Sequence, residues 1–387
     1  MAEDPPRGGI LQASISLGRV LGIPLGLHYS WFIIAALITF SLTAQFSLTQ
    51  PEWGPGLIWA VAAATAVLFF ISLLAHEMSH ALMARSRGIP VHSITLFALG
   101  GIAQMEKDAN TARTEFLVAI VGPITSMVIG IVCLGVATSL GWSVTGPADG
   151  GIVAAVLGWL GSINVLLALF NMLPGYPLDG GRILRAALWG IYGNQDRATR
   201  AAARAGQVVA GLFIAVGLLQ FFFGAGLGGL WLAFIGWFLL SAAQASYYQV
   251  AITETLRDVR VGDIMSSDCV AVDPGTSVQT LVYDQVVRGG RRCFIVRSNG
   301  SIRGLVTPHD LRHVERTHWS EVTVGDVMRP LDRLKTVAPD TPAEEAFTTM
   351  AREDLNQLPV IEHGDLKGFV SRGHILRLLQ TRTELEA

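Results

Sequence analysis

Charge is scarce in this chain. Asp, Glu, Lys and Arg make up 15 % of its 387 residues, against 51 % hydrophobic side chains. The shortage is uneven: residues 57–74 contain no charged side chain at all, whereas residues 257–387 carry charge at an ordinary density. A net charge of −2 leaves no basic excess to neutralise phosphates, so nucleic acid is not an expected partner. Cysteine is also rare. Cys133, Cys269 and Cys293 lack metal-site spacing and no disulfide framework is expected from them. The opening MAEDPPRGG lacks the basic stretch and apolar core of a signal peptide.

What the chain has instead is long apolar runs, at roughly 29–48, 57–80, 115–139, 152–173, 205–223 and 229–249. Each approaches the ~20 residues that cross a bilayer core. The connections at 49–56, 140–151 and 224–228 contain no Lys or Arg. Basic residues gather in the alternate segments, at Arg7 and Arg19, at Arg85, Arg87, Lys107 and Arg113, and at Arg182, Arg185, Arg197, Arg200 and Arg204. That alternation fits six spans with both termini in the cytoplasm.

Ionisable residues inside such a span need a reason, because a charge at mid-helix costs roughly 2.5–3.5 kcal/mol on insertion scales. The second run carries HEMSH at 76–80. His76 and His80 are four apart and project from one helical face, so both imidazoles reach a single zinc. Glu77 then sits where a carboxylate takes a proton from activated water without binding the metal. The plainer reading is an interfacial trio that caps the span ahead of Arg85 and Arg87. A catalytic zinc usually has a third protein ligand. Asp179, in FNMLPGYPLDGGRILRA, follows helix-breaking Pro174 and Pro177 and precedes Gly180 and Gly181. It is a candidate ligand and equally a candidate N-cap for an amphipathic helix over 182–192.

HEMSH in a membrane helix, followed about a hundred residues later by NMLPGYPLDGG, resembles the site-2 protease family of intramembrane zinc metalloproteases. Asn171, Pro174, Asp179 and Gly180 match that family's N-x2-P-x4-D-G segment position for position. The resemblance spans residues 15–250. It implies one Zn2+ per chain on His76, His80 and Asp179, Glu77 as general base, and Asn171 holding the substrate carbonyl. A side-chain amide donor suits a developing oxyanion. VHSITLFALGGIAQM at 91–105 reads as two short strands around Gly100–Gly101, and the resemblance implies a membrane-dipping hairpin that presents an extended substrate. His28, in GLHYSW, reads as an interfacial anchor with Tyr29 and Trp31 rather than a ligand.

Beyond Arg257 the chain repeats itself. VRVGDIM at 259–265 returns as VTVGDVM at 322–328, and GLVTPHDL at 304–311 returns as GFVSRGHIL at 368–376. Two units of this size would pack against one another. Residues 257–380 resemble a pair of cystathionine β-synthase (CBS) domains. That resemblance implies an adenine nucleotide near Thr307 and Asp310, where Gly304, Thr307 and Asp310 complete a G-x-x-[ST]-x-x-D segment. The second repeat has Gly368 and Ser371 but His374 in place of the Asp. A CBS pair that only dimerises, giving a homodimer, or docks on the protease is the alternative.

The expected fold is a polytopic α-helical membrane protein, six transmembrane helices with a membrane-associated β-hairpin, plus a C-terminal α/β CBS-pair domain. The expected divisions are 1–250 for the protease, 257–320 for the first repeat and 321–380 for the second. The expected function is zinc-dependent cleavage of transmembrane protein substrates within a lipid bilayer, in the cell membrane, with the CBS pair and both termini cytoplasmic. The rival is a CBS-gated transporter or channel using the His/Glu/Asp cluster as an ion path. A transporter is expected to carry matched repeats, and HEMSH has no second copy.

Overall fold

A computed structural model describes residues 15–98, 100–105, 109–143, 150–256, 258–267, 269–289, 294–298, 301–307, 310–330, 334–353, 355–363 and 365–386. The described chain divides into two compact units, with the boundary along the sequence between Val250 and Ala251.

The first unit begins with a sheet. Strands β1 (Ile15–Val20) and β2 (Ile23–Leu27) form an antiparallel hairpin whose turn residues, Leu21 and Gly22, have φ of 51° and 79°. Two positive φ values match the twist of a tight hairpin, which explains a glycine at the second position. Helices α1 (Ser30–Thr49) and α2 (Pro55–Ser86) then carry the chain to β3 (Val91–Phe97), which pairs parallel to β2. Strand β4 (Gly100–Met105) pairs antiparallel to β3 and completes the order β1-β2-β3-β4. Ile23, Leu25 and Ile94 of this sheet pack on Met78 and Ala81 of α2, beside the HEMSH turn.

The hairpin expected over residues 91–105 is present as β3–β4, and residues 15–27 add two strands ahead of the first span to the same sheet. One expectation needs correction. Gly100 and Gly101 are not the hairpin turn; they open β4, opposite Phe97 and Leu96. Ala98 is in the turn between the two strands, and Leu99 lies outside the described residues.

Helices α3 (Ala112–Ser139), α4 (Gly151–Asn171), α5 (Asp179–Tyr192), α6 (Gln195–Gln220) and α7 (Leu227–Leu256) follow. Among the described residues six helices are long and apolar enough to cross a membrane, α5 not being one of them. Thr111 caps α3 by accepting the Thr114 N–H at 3.2 Å. Gly193 closes α5 with φ 66°, and Asn194 Oδ1 caps α6 by accepting the Arg197 N–H at 2.9 Å.

These helices turn large apolar side chains outward and small ones inward. Leu37, Phe40, Ile131, Val132 and Leu166 are exposed, while Ala62, Ala66, Ala119, Gly130, Ala154 and Gly161 are buried. Lipid tails are as apolar as leucine, so the helices gain little by hiding leucine from them. They gain dispersion contacts by close approach, which small residues permit. At the α3–α4 contact, a Cβ on Gly161 would lie 2.7 Å from Leu134 Cγ and 2.9 Å from the Gly130 carbonyl.

In the second unit, strands β5 (Val270–Val272), β6 (Phe294–Ser298), β7 (Ser301–Val306) and β8 (Arg329–Pro330) form one sheet. Strands β9 (Gln357–Glu362) and β10 (Asp365–Ser371) form a second. The two repeats exchange their leading turns. Val259 and Val261 pack with Ala343, Met350, Val360 and Ile375, whereas Val324 packs with Val278, Leu281, Phe294 and Val306. Each half thus completes the core of the other. Cys133 is a free thiol, whereas Cys269 is disulfide-bonded, a crosslink that the wide cysteine spacing did not lead one to expect.

The packing of α3 on α4 is testable by overpacking it. Gly161→Leu should destabilise the purified protein by about 1–3 kcal/mol in detergent unfolding. Leu166→Ala, on the outward face of the same helix, should stay within about 0.5 kcal/mol. Equal effects of the two would mean that close approach at Gly161 does not hold these helices together.

Candidate active site

His76 and His80 lie on successive turns of α2 and are 2 % and 4 % exposed. Their Nε2 atoms are 3.2 Å apart. The Asp179 Oδ2 lies 3.2 Å from each of them, closing an equilateral triangle. Donors bound tetrahedrally at 2.0–2.1 Å stand about 3.3–3.4 Å apart, so the triangle has the dimensions of three zinc ligands. No other group of this kind occurs among the described residues. Two imidazoles and a carboxylate with room for a fourth ligand form the donor set of a catalytic zinc, and the residues fit the metal.

Helix α3 supports both rings from behind. The His80 Nδ1 is 2.6 Å from the Val118 carbonyl, which only accepts, so the proton sits on Nδ1 and the Nε2 lone pair is free for a metal. The His76 Nδ1 is 2.9 Å from the Ser126 hydroxyl, a contact that orients the ring and is open to either tautomer, because a hydroxyl both donates and accepts. Between these two contacts stands Gly122, where a Cβ would collide with the Nε2 atoms of both histidines. Glycine at this position keeps the triangle open.

Asp179 comes from the irregular segment between α4 and α5. It is the first residue of α5, behind an N-cap at Leu178 that makes no side-chain cap. Its carboxylate faces the histidines instead of capping its own helix, which separates the two uses that spacing left open. Gly180 and Gly181 allow this, since a Cβ on either would strike the backbone of residues 172–176. Glu77 accepts a hydrogen bond from the Gly101 N–H. A Cβ on Gly101 would overlap the Glu77 side chain, so β4 lies directly against that carboxylate.

Asn171 ends α4, half-buried and without a side-chain hydrogen bond among the described residues. Gly100 sits beside Gly101 in β4 and has no contact that would exclude a side chain; its φ of 141° is its only constraint. His28 is buried and its Nδ1 is 2.8 Å from the Ser30 hydroxyl, which accepts the Ala98 N–H at 3.1 Å. It therefore ties the start of α1 to the β3–β4 turn, outside the triangle. The contacts from Val118, Gly122 and Ser126 were not foreseen. Their only signal was a hydroxyl and two small or apolar residues at helical spacing in an apolar run.

In the second unit, a cavity of about 320 Å³ is lined by Thr307, Asp310, Arg329, Lys335 and Phe369, among others. The Asp310 carboxylate is already engaged. Its Oδ2 accepts from the Thr307 N–H at 2.9 Å and hydroxyl at 2.7 Å, and its Oδ1 accepts from Arg329 Nε at 2.6 Å. In the other repeat Ser371 Oγ accepts the His374 N–H at 3.2 Å. Burial, aided by Arg377, pushes the His374 pKa down, so that imidazole is neutral near pH 7.

Comparison with known proteins agrees with this division of the chain. Residues 64–146 and 144–216 match Peptidase family M50, and residues 261–316 and 324–381 match the CBS domain. The protein named "Putative zinc metalloprotease Rip3" from Mycobacterium tuberculosis is 36 % identical over 371 residues, covering 95 % of this chain and 93 % of that one. One named "Putative zinc metalloprotease sll0528" from Synechocystis is 34 % identical and covers 97 % of both chains. The solved site-2 protease from Methanocaldococcus jannaschii is 30 % identical over 60 % of this chain and 94 % of that chain, with a TM-score of 0.40. Identity of this extent, along nearly the whole length of its relatives, means that the chain belongs to peptidase family M50, the site-2 protease family of zinc metalloproteases, and carries two CBS domains.

Proposed function

We propose that this protein cuts transmembrane segments of other membrane proteins, using zinc held by His76, His80 and Asp179. The observation that carries the reading is the equal 3.2 Å spacing of the three donor atoms. Zinc held there supplies Lewis acidity towards water and a peptide carbonyl. Glu77, beside His76 on the same helix turn, accepts the proton of the attacking water and passes it to the departing amide nitrogen. The Asn171 amide donates to the carbonyl oxygen as that oxygen gains negative charge.

The sheet supports a substrate route. Strand β4 is an edge of the four-stranded sheet, and its Gly101 touches Glu77. An extended peptide added at this edge lies with its carbonyls near the proton acceptor. A transmembrane helix hides its carbonyls in its own hydrogen bonds, so it must unwind first. The alternation of Lys and Arg along the sequence supports a cell-membrane protein with both termini and the CBS pair in the cytoplasm, and hence release of a cytoplasmic fragment.

Two predictions test the chemistry. Glu77→Gln should retain zinc yet lose at least 10²–10⁴-fold in cleavage rate, because an amide accepts no proton. Asp179→Ala should instead lower the zinc content itself. Undiminished cleavage by the first variant, or wild-type zinc content in the second, would sink the assignment. For the substrate route, a target span bearing Gly or Pro near the cut should be cleaved faster than the same span with Leu there. Equal rates would exclude strand presentation.

For the CBS pair we propose one adenine nucleotide per chain, in the cavity beside Thr307 and Asp310, modulating cleavage. Arg329 and Lys335 there supply cations suited to phosphate. A ribose would exchange with the Thr307 and Arg329 bonds that Asp310 now makes. A neutral His374 is a poorer acceptor for ribose hydroxyls in the other cleft. Control of proteolysis requires different nucleotide affinity for active and inactive arrangements. Calorimetry on the full chain should give about one site, weakened by Asp310→Ala. Absence of heat with any adenine nucleotide would leave the pair as a docking or dimerising module.

A further inference from the structure

The described residues hold a second buried ionic cluster that the proposed chemistry does not use. Glu115, in the first turn of α3, is fully buried, and Arg185 on α5 is 6 % exposed. Arg182 Nε donates to Glu115 Oε1 at 3.0 Å, and Arg185 Nη2 reaches the same oxygen. Taking such ions out of water costs several kcal/mol each, and apolar residues of similar volume often hold helices together equally well. General stability is therefore a weak reason for these three side chains. Geometry offers a better one.

Glu115 begins a stripe on α3. Three, seven and eleven residues further on come Val118, Gly122 and Ser126, which share a face at helical spacing. Those three residues meet His80 and His76. One face of α3 thus holds the α2 imidazoles at its middle and two α5 guanidinium groups at its start. Asp179 is the first residue of α5, three positions ahead of Arg182, and the charges of the two interact. A shift of α5 along α3 would carry Asp179 Oδ2 away from the histidines, and a site loosened by about 1 Å is a poor site.

We infer that Glu115 is a positioning residue: through Arg182 and Arg185 it fixes α5 against α3, so that Asp179 meets His76 and His80 at metal-binding distance. The inference rests on Asp179 being a zinc ligand. Both guanidinium groups converge on one carboxylate oxygen, Glu115 Oε1, so a single buried anion on α3 holds two successive turns of α5. Partners that orient metal ligands without touching the metal typically contribute 10–100-fold to affinity.

The test measures zinc affinity by chelator competition on the full-length protein in detergent, together with unfolding of the metal-free and zinc-loaded forms. Glu115→Gln should weaken zinc binding about 10–100-fold and shrink the zinc-induced rise in Tm. Arg182→Gln separates positioning from field effects and leaves Arg185 paired with Glu115. Removing a cation near the site should by charge alone tighten Zn2+ binding, whereas lost positioning weakens it. We expect weaker binding, by about tenfold. Asn164→Leu, which breaks the buried Asn164–Ser72 bond between α4 and α2, serves as the structural control. It should lower Tm in both forms without changing zinc affinity. Unchanged affinity in Glu115→Gln, or tighter binding in Arg182→Gln, overturns the inference; should Glu115→Gln fail to fold, the sign seen with Arg182→Gln decides. If Asp179→Ala itself keeps wild-type affinity, the fault lies in the ligand assignment.

Discussion

Three donor atoms 3.2 Å apart, two from α2 and one from the start of α5, set the terms for the rest of the first unit. They come from positions about a hundred residues apart, and both contributing segments lie among apolar helices. Holding them together demands three things of the surrounding chain. Something must orient the imidazoles, something must clear space between the rings, and something must hold α5 in register. Helix α3 does all three, through Val118 and Ser126, through Gly122, and through Glu115.

The same constraint explains where small residues appear. In a bilayer the helices need no leucine core, so glycine and alanine take the contact faces and leucine, isoleucine and phenylalanine face outward. Close approach then delivers polar groups at short range. Gly180 and Gly181 let α5 begin on the backbone of residues 172–176, and Gly101 lets β4 lie on Glu77. Where polar side chains are buried in these helices, most have a partner, as with Asn164 and Ser72 or His76 and Ser126.

Much of this was legible in the sequence. The six spans were, because hydrophobic length is a coarse signal that short-range context does not disturb. The HEMSH residues were, because a helix fixes the relation of positions four apart. Asp179 was ambiguous from spacing alone, since ligand and N-cap use the same residue type; the side chain faces the histidines. Strands β1 and β2 were missed because five or six residues of mixed Leu and Gly carry too little periodicity beside a twenty-residue helix. The place of Gly100 and Gly101 was misread for a related reason: two glycines read as a turn, yet both lie in β4, where Gly101 lets the strand lie against Glu77. The exchange of leading turns between the CBS repeats was invisible, because pairing within a repeat and pairing across repeats leave the same local pattern.

Zinc K-edge X-ray absorption on the full-length protein in detergent tests the central claim most directly. The account predicts one zinc per chain, surrounded only by nitrogen and oxygen scatterers at about 2.0–2.1 Å, with the outer-shell signature of two imidazoles. Absence of zinc, or a sulfur shell at about 2.3 Å, would contradict it.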